Sequence, residues 1–133
     1  MGAALIHAVA VDEHLREWWG YGLFFLFASL AQMFYAVLLL LRPWRRTPPR
    51  ADEAAWERRA LWAGIIGNAF LVLLYVVSRT VGVPWFGPAE GRVEEVSALG
   101  VVSKLFELAL IGVLVALLRS PDAPSASSQA VDA

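Results

Sequence analysis

From Gly20 to Leu41 the chain reads GYGLFFLFASLAQMFYAVLLLL, 22 residues without a single charge. As a helix rising 1.5 Å per residue this stretch is ~33 Å long, enough to cross a hydrocarbon core of ~30 Å. Lipid offers no partner for backbone N–H and C=O groups, so a spanning segment is a helix or a strand of a closed barrel. The run shows no period-two alternation of apolar and polar residues, which excludes barrel strands. Two further apolar blocks follow, Ala60 to Ser78 and Val96 to Leu118, the last broken by Lys104 and Glu107. With 59% hydrophobic residues gathered into these blocks, the sequence predicts an all-α membrane protein. Its three transmembrane helices cover about 18–41, 60–81 and 97–118. They form one domain over 1–119, followed by a small, polar, disordered cytoplasmic tail at 120–133. The start, MGAALIHAVAV, has no lysine or arginine to make a basic n-region and is interrupted by His7, so it does not read as a cleaved signal.

Arginines set the expected orientation. Arg42, Arg45, Arg46, Arg50, Arg58 and Arg59 crowd the first connection, against Arg16 before the first span and Arg79 and Arg92 around the second connection. The positive-inside rule puts the first connection and the C-terminus in the cytoplasm and the N-terminus outside. Trp18, Trp19 and Trp85 then mark the outer interface, and Trp44, Trp56 and Trp62 the inner one. Before the first span, Asp12 is expected to cap a helix that begins at Glu13 and continues through Trp18 and Trp19 into the membrane. The preceding AALIHAVAV is too short to cross and is expected to lie along the outer surface as a short interfacial segment.

Polar residues inside the spans carry the functional signal. Gln32, Asn68 and Glu107 fall at similar depths, with Lys104 one turn outward of Glu107, so the four are expected to form an intramembrane polar cluster. A carboxylate at bilayer depth costs ~3 kcal/mol on the insertion scale and is neutral or paired. Lys104 is its local partner, or it snorkels outward and leaves Glu107 protonated. At the outer end Arg79 is expected to anchor the second loop through Glu94 or Glu95.

His7 and His14 share the outer face with Glu13, Glu17, Glu90, Glu94 and Glu95. Imidazole with carboxylate suits a divalent ion such as Cu(II) or Zn(II), provided the chain bends at Asp12 to bring the two rings together. Otherwise they are solvated interfacial residues. With no cysteine, thiolate metal sites and disulfides are excluded.

No phosphate loop, nucleophile elbow or other catalytic motif is present, so the reading is not an enzyme. The arginines are accounted for by topology and anionic lipid, without nucleic acid. The leading expectation is a small protein of a bacterial inner membrane that works as a homo-oligomer or as a subunit of a larger membrane complex. Gly64, Gly67, Gly100 and Gly112 would supply its close packing. The alternatives are an ion- or proton-conducting or transport protein using Glu107, Asn68 and Gln32, and an outer-face metal-handling protein using His7 and His14.

Overall fold

The computed structural model describes residues 1–45, 52–84, 86–88 and 91–120. The expected tail from 121 onward, the middle of the first connection at 46–51, Trp85 and Glu90 lie outside the described residues. The described chain is all helical: α1 Gly2–Glu17, α2 Trp19–Leu41, α3 Glu53–Thr80 and α4 Ala98–Arg119. Helices α2, α3 and α4 are each long and apolar enough to span a membrane.

The distribution of side chains inverts that of a soluble bundle. Phe27, Phe34, Ile66, Phe70, Leu73 and Leu105 all point outward, whereas the interior holds Ser29, Asn68, Ser103 and Glu107 beside Ala28, Leu61 and Leu114. Hydrocarbon tails are as apolar as leucine, so the hydrophobic effect does not drive such helices together. Close approach and interhelical hydrogen bonds do. Gly64 receives the Tyr35 phenol, whose hydroxyl donates to Ala60 O at 2.9 Å and ties α2 to α3. Gly100 lies against the Tyr75 ring and joins α3 to α4. Helix α4 begins at Ser97, whose hydroxyl accepts the Gly100 N–H at 3.0 Å.

The N-terminal segment departs from expectation. Asp12 does not cap a helix: α1 runs unbroken through it, and the Asp12 carboxylate instead pairs with Arg16 one turn on, at 2.7 Å. The break comes at Trp18, in an extended conformation (φ −167°, ψ 135°), so α1 and α2 are separate helices and not one. Two glycines make the reversal possible. A Cβ on Gly20 would fall 2.1 Å from the Trp18 ring, and one on Gly22 would fall 2.2 Å from Leu15. Helix α1 therefore folds back antiparallel on α2 and also contacts α4. Ser29 donates to Ala4 O at 2.8 Å, ten residues or ~15 Å inside the start of α2. The first turn of α1 thus reaches about half the depth of a hydrocarbon core, where the expected segment would have lain along its surface.

The α3–α4 connection closes over the same end. The Gly82 N–H bonds Val77 O at 3.0 Å, and its φ of 77° with Gly91 and Arg92 backbone alongside leaves no room for a side chain. Glu94 N–H returns to Ser78 O at 3.0 Å, and Tyr21 donates to Phe86 O at 3.1 Å, so the loop touches both α3 and α2.

Candidate functional site

Glu107 organises the interior. It is 0% exposed, and its Oε1 accepts from His7 Nε2 at 3.0 Å, Gln32 Nε2 at 3.3 Å and Ser103 Oγ at 3.5 Å. Its Oε2 faces the Lys104 ammonium at 2.5 Å, an ion pair without an aligned hydrogen bond. Four helices contribute: His7 from α1, Gln32 from α2, Asn68 from α3, and Ser103, Lys104 and Glu107 from α4. Asn68 donates to Gly64 O at 2.8 Å, which turns its Oδ1 toward Gln32 Nε2 at 3.4 Å.

Helix geometry explains the meeting. Counted from the loop end, Glu107 lies nine residues into α4, Asn68 twelve residues back along α3, and Gln32 thirteen into α2. These rises of ~14, ~18 and ~20 Å put the three within ~6 Å of each other in depth, little more than one helical turn. Lys104 does not snorkel outward. Its ammonium stays inside, 3.5 Å from Leu71 O and 5.6 Å over the Tyr75 ring. A buried carboxylate is tolerable in lipid with a counter-ion and several donors, and Glu107 has both.

Above the cluster the bundle is hollow. A cavity of about 450 Å³ extends from the rim at Arg79, Arg92 and Glu94 down to a floor made by His7, Ser103 and Lys104. Phe24, Phe25, Leu71 and Leu74 supply its apolar walls. Tyr75 lines it too, with a buried hydroxyl that has no partner among the described residues. Toward the other end the way is closed by buried Leu61 and Leu114 and by the Tyr35–Ala60 bond.

The two histidines part company. His7 is buried on Glu107; His14 Nδ1 instead contacts Glu17 Oε2 at 2.9 Å. Phe25 contacts both rings, stacked on His14 at 4.3 Å (5° between planes) and 5.5 Å from His7. With α1 unbroken at Asp12, the bend needed to bring both imidazoles to one ion is absent, and the Phe25 ring would have to leave. Among the described residues no group of three or more His, Asp or Glu stands ready for a metal. Arg79 pairs with Glu94, while Glu95 is exposed on the loop. The Arg79 guanidinium also lies 5.0 Å over Tyr75.

Three contributors carry no clear mark in the sequence: His7 as an interior group, Ser103 and Ser29. Ser103 is legible only as the residue one helical turn before Glu107. Ala3, Ala4 and His7 share a face of α1 and are all buried, a small-residue stripe that marks close packing. The short span of that segment hid it.

No family model matches the chain, and neither does any characterised protein or solved structure.

Proposed function

We propose that this small membrane protein exchanges protons across part of a bacterial inner membrane, with the arginine-rich end in the cytoplasm and the cavity opening outside. One observation carries the reading. A fully buried carboxylate, held by an imidazole and an ammonium, lies directly behind the floor of a cavity that reaches the loop end. Ionisable groups at bilayer depth mark proton and ion pathways, and the cavity brings access to this one from the loop end.

The chemistry is short. A proton arriving from the cavity converts the His7 imidazole to imidazolium. The incoming proton binds Nδ1, and the one already on Nε2 passes to Glu107 Oε1 across 3.0 Å, leaving a neutral imidazole and a neutral carboxylic acid. Glu107 then no longer balances Lys104, whose ammonium is left to Leu71 O and the Tyr75 ring. That imbalance is the force by which protonation would rearrange α4 against α1 and open the closed end.

Purified protein in vesicles, driven by an imposed potential and read with an interior pH dye, tests this. The wild-type chain should conduct protons above protein-free vesicles, and Glu107→Gln should return the flux to background. Equal flux in the two proteins would overturn the reading.

A second reading, assembly with further copies or other subunits, is favoured by Gly67 and Gly112. Both sit mid-helix and exposed, with nothing within 4 Å of where a Cβ would be. Glycine inside a helix costs ~1 kcal/mol against alanine, so outward glycines suit the close approach of another helix. The two readings are compatible, since a proton path can be completed between protomers.

A further inference from the structure

The opposite end of the molecule holds a second cavity, of about 640 Å³, between the end of α2 and the start of α3. Its walls are Phe34, Leu38, Ala60 and Ala63, and its polar edge is Trp44, Trp56 and Arg59, with Asp52 at the rim. Arg42 shapes it: a left-handed backbone (φ 43°) ends α2 and turns the chain so that Trp44 lies over the groove. The two alanines keep the α3 wall shallow, and Tyr35, held to Ala60 O, closes the deep end.

Two groups at this groove have unused capacity for an anion. The Trp44 indole Nε1 is buried and has no acceptor among the described residues. A buried donor without a partner is a net cost to the fold, so its acceptor is expected from outside. The second group is Arg59. Arg42 and Arg45 both share Glu57, each at 3.3 Å, whereas no described carboxylate pairs with Arg59, whose guanidinium lies 5.2 Å over the Trp56 ring. Asp52 repels an anion from the rim and so confines it to the Arg59 side.

We propose that this groove binds one anionic phospholipid. The phosphate accepts from the Trp44 indole and the Arg59 guanidinium, and an acyl chain lies along Phe34, Leu38 and Ala63. An apolar trough that ends in a cation and an indole donor has the two-part chemistry of such a lipid. Basic pockets between helices at the arginine-rich face of a membrane protein are where acidic headgroups gather. The proposal is independent of the Glu107 chemistry and of which copies assemble.

Native mass spectrometry of protein relipidated with equal amounts of phosphatidylglycerol and phosphatidylcholine, matched in acyl chains, tests it. The wild-type chain should retain one phosphatidylglycerol in preference. Arg59→Gln removes the charge that separates phosphatidylglycerol from the zwitterionic lipid and should reduce that preference about tenfold; Trp44→Phe removes a donor to the phosphate that both lipids carry and should lower the retained fraction of either about tenfold with the preference kept. Ala63→Phe fills the trough without touching a charge and should displace the lipid. Arg58→Gln removes the neighbouring charge, which does not line the groove, and should change nothing. Three results would overturn the proposal: no headgroup preference in the wild-type chain, equal losses with Arg58→Gln and Arg59→Gln, or lipid retained by Ala63→Phe. Circular dichroism of each variant confirms that helix content is kept.

Discussion

The ion pair between Lys104 and Glu107 can be tested by taking it apart one charge at a time. Glu107→Gln keeps the shape of the side chain and an oxygen for His7 and Ser103, but strands the Lys104 ammonium, whose side chain is only 12% exposed. Lys104→Met strands a carboxylate that is 0% exposed, though three donors remain on Oε1. Removing one partner of a buried pair costs about 3–5 kcal/mol, and those remaining contacts put each variant near the lower figure, ~3 kcal/mol. The double variant carries no buried charge and should fall within ~1 kcal/mol of the wild-type chain. Neutral interhelical hydrogen bonds in membrane proteins couple by up to ~1.7 kcal/mol, so a coupling above ~2 kcal/mol identifies an ion pair. Unfolding in mixed micelles with a rising fraction of denaturing detergent, followed by helix content, gives the four free energies. Losses that add to within ~0.5 kcal/mol would refute the buried pair.

Other outcomes follow from the same geometry. Gly64→Val drives a side chain into the Tyr35 hydroxyl, 2.0 Å from the ideal Cβ, and should destabilise the fold by ~1–3 kcal/mol in the same titration. Gly67→Ala meets open space and should stabilise an isolated chain by up to ~1 kcal/mol; a loss of oligomer on size exclusion would instead assign that face to assembly. The chain has no cysteine, so single thiols report access directly: Leu74→Cys, on the cavity wall, should react with a membrane-impermeant reagent from the loop side, and the buried Leu114→Cys should not. Arg79→Met removes the partner of Glu94 and should speed amide exchange at Glu94, whose N–H otherwise bonds Ser78 O.

The spans were legible because lipid leaves a sequence few choices. An uncharged run like Gly20–Leu41 has to be helical to satisfy its backbone, and depth counting was enough to bring Gln32, Asn68 and Glu107 to one level. The partnership of Arg79 with Glu94 was one of two pairings the sequence offered. What sequence did not disclose was α1. Its sixteen residues are too short to cross, and neither Asp12 nor the histidines tell a surface segment from one folded inside. The decision lies in contacts distant along the chain: Gly22 admitting Leu15, Ser29 bonding Ala4 O, and His7 meeting Glu107 a hundred residues away. Trp18 is ambiguous in the sequence for a related reason. An aromatic at a membrane edge reads as belt whether it continues a helix or breaks one, and the glycines at 20 and 22 were the only local sign of the turn.

The most direct test of the account is whether Glu107 takes up a proton from the loop side. Infrared difference spectra of the protein oriented in supported bilayers, recorded as the loop-side solution is acidified, read a buried carboxyl through its own C=O stretch. A carboxylic acid band should grow on acidification, disappear in Glu107→Gln, and be delayed or lost in His7→Phe. No Glu107 band under loop-side acid, or one that grows equally in His7→Phe and with acid on the arginine-rich side alone, would contradict the path from cavity through His7 to Glu107.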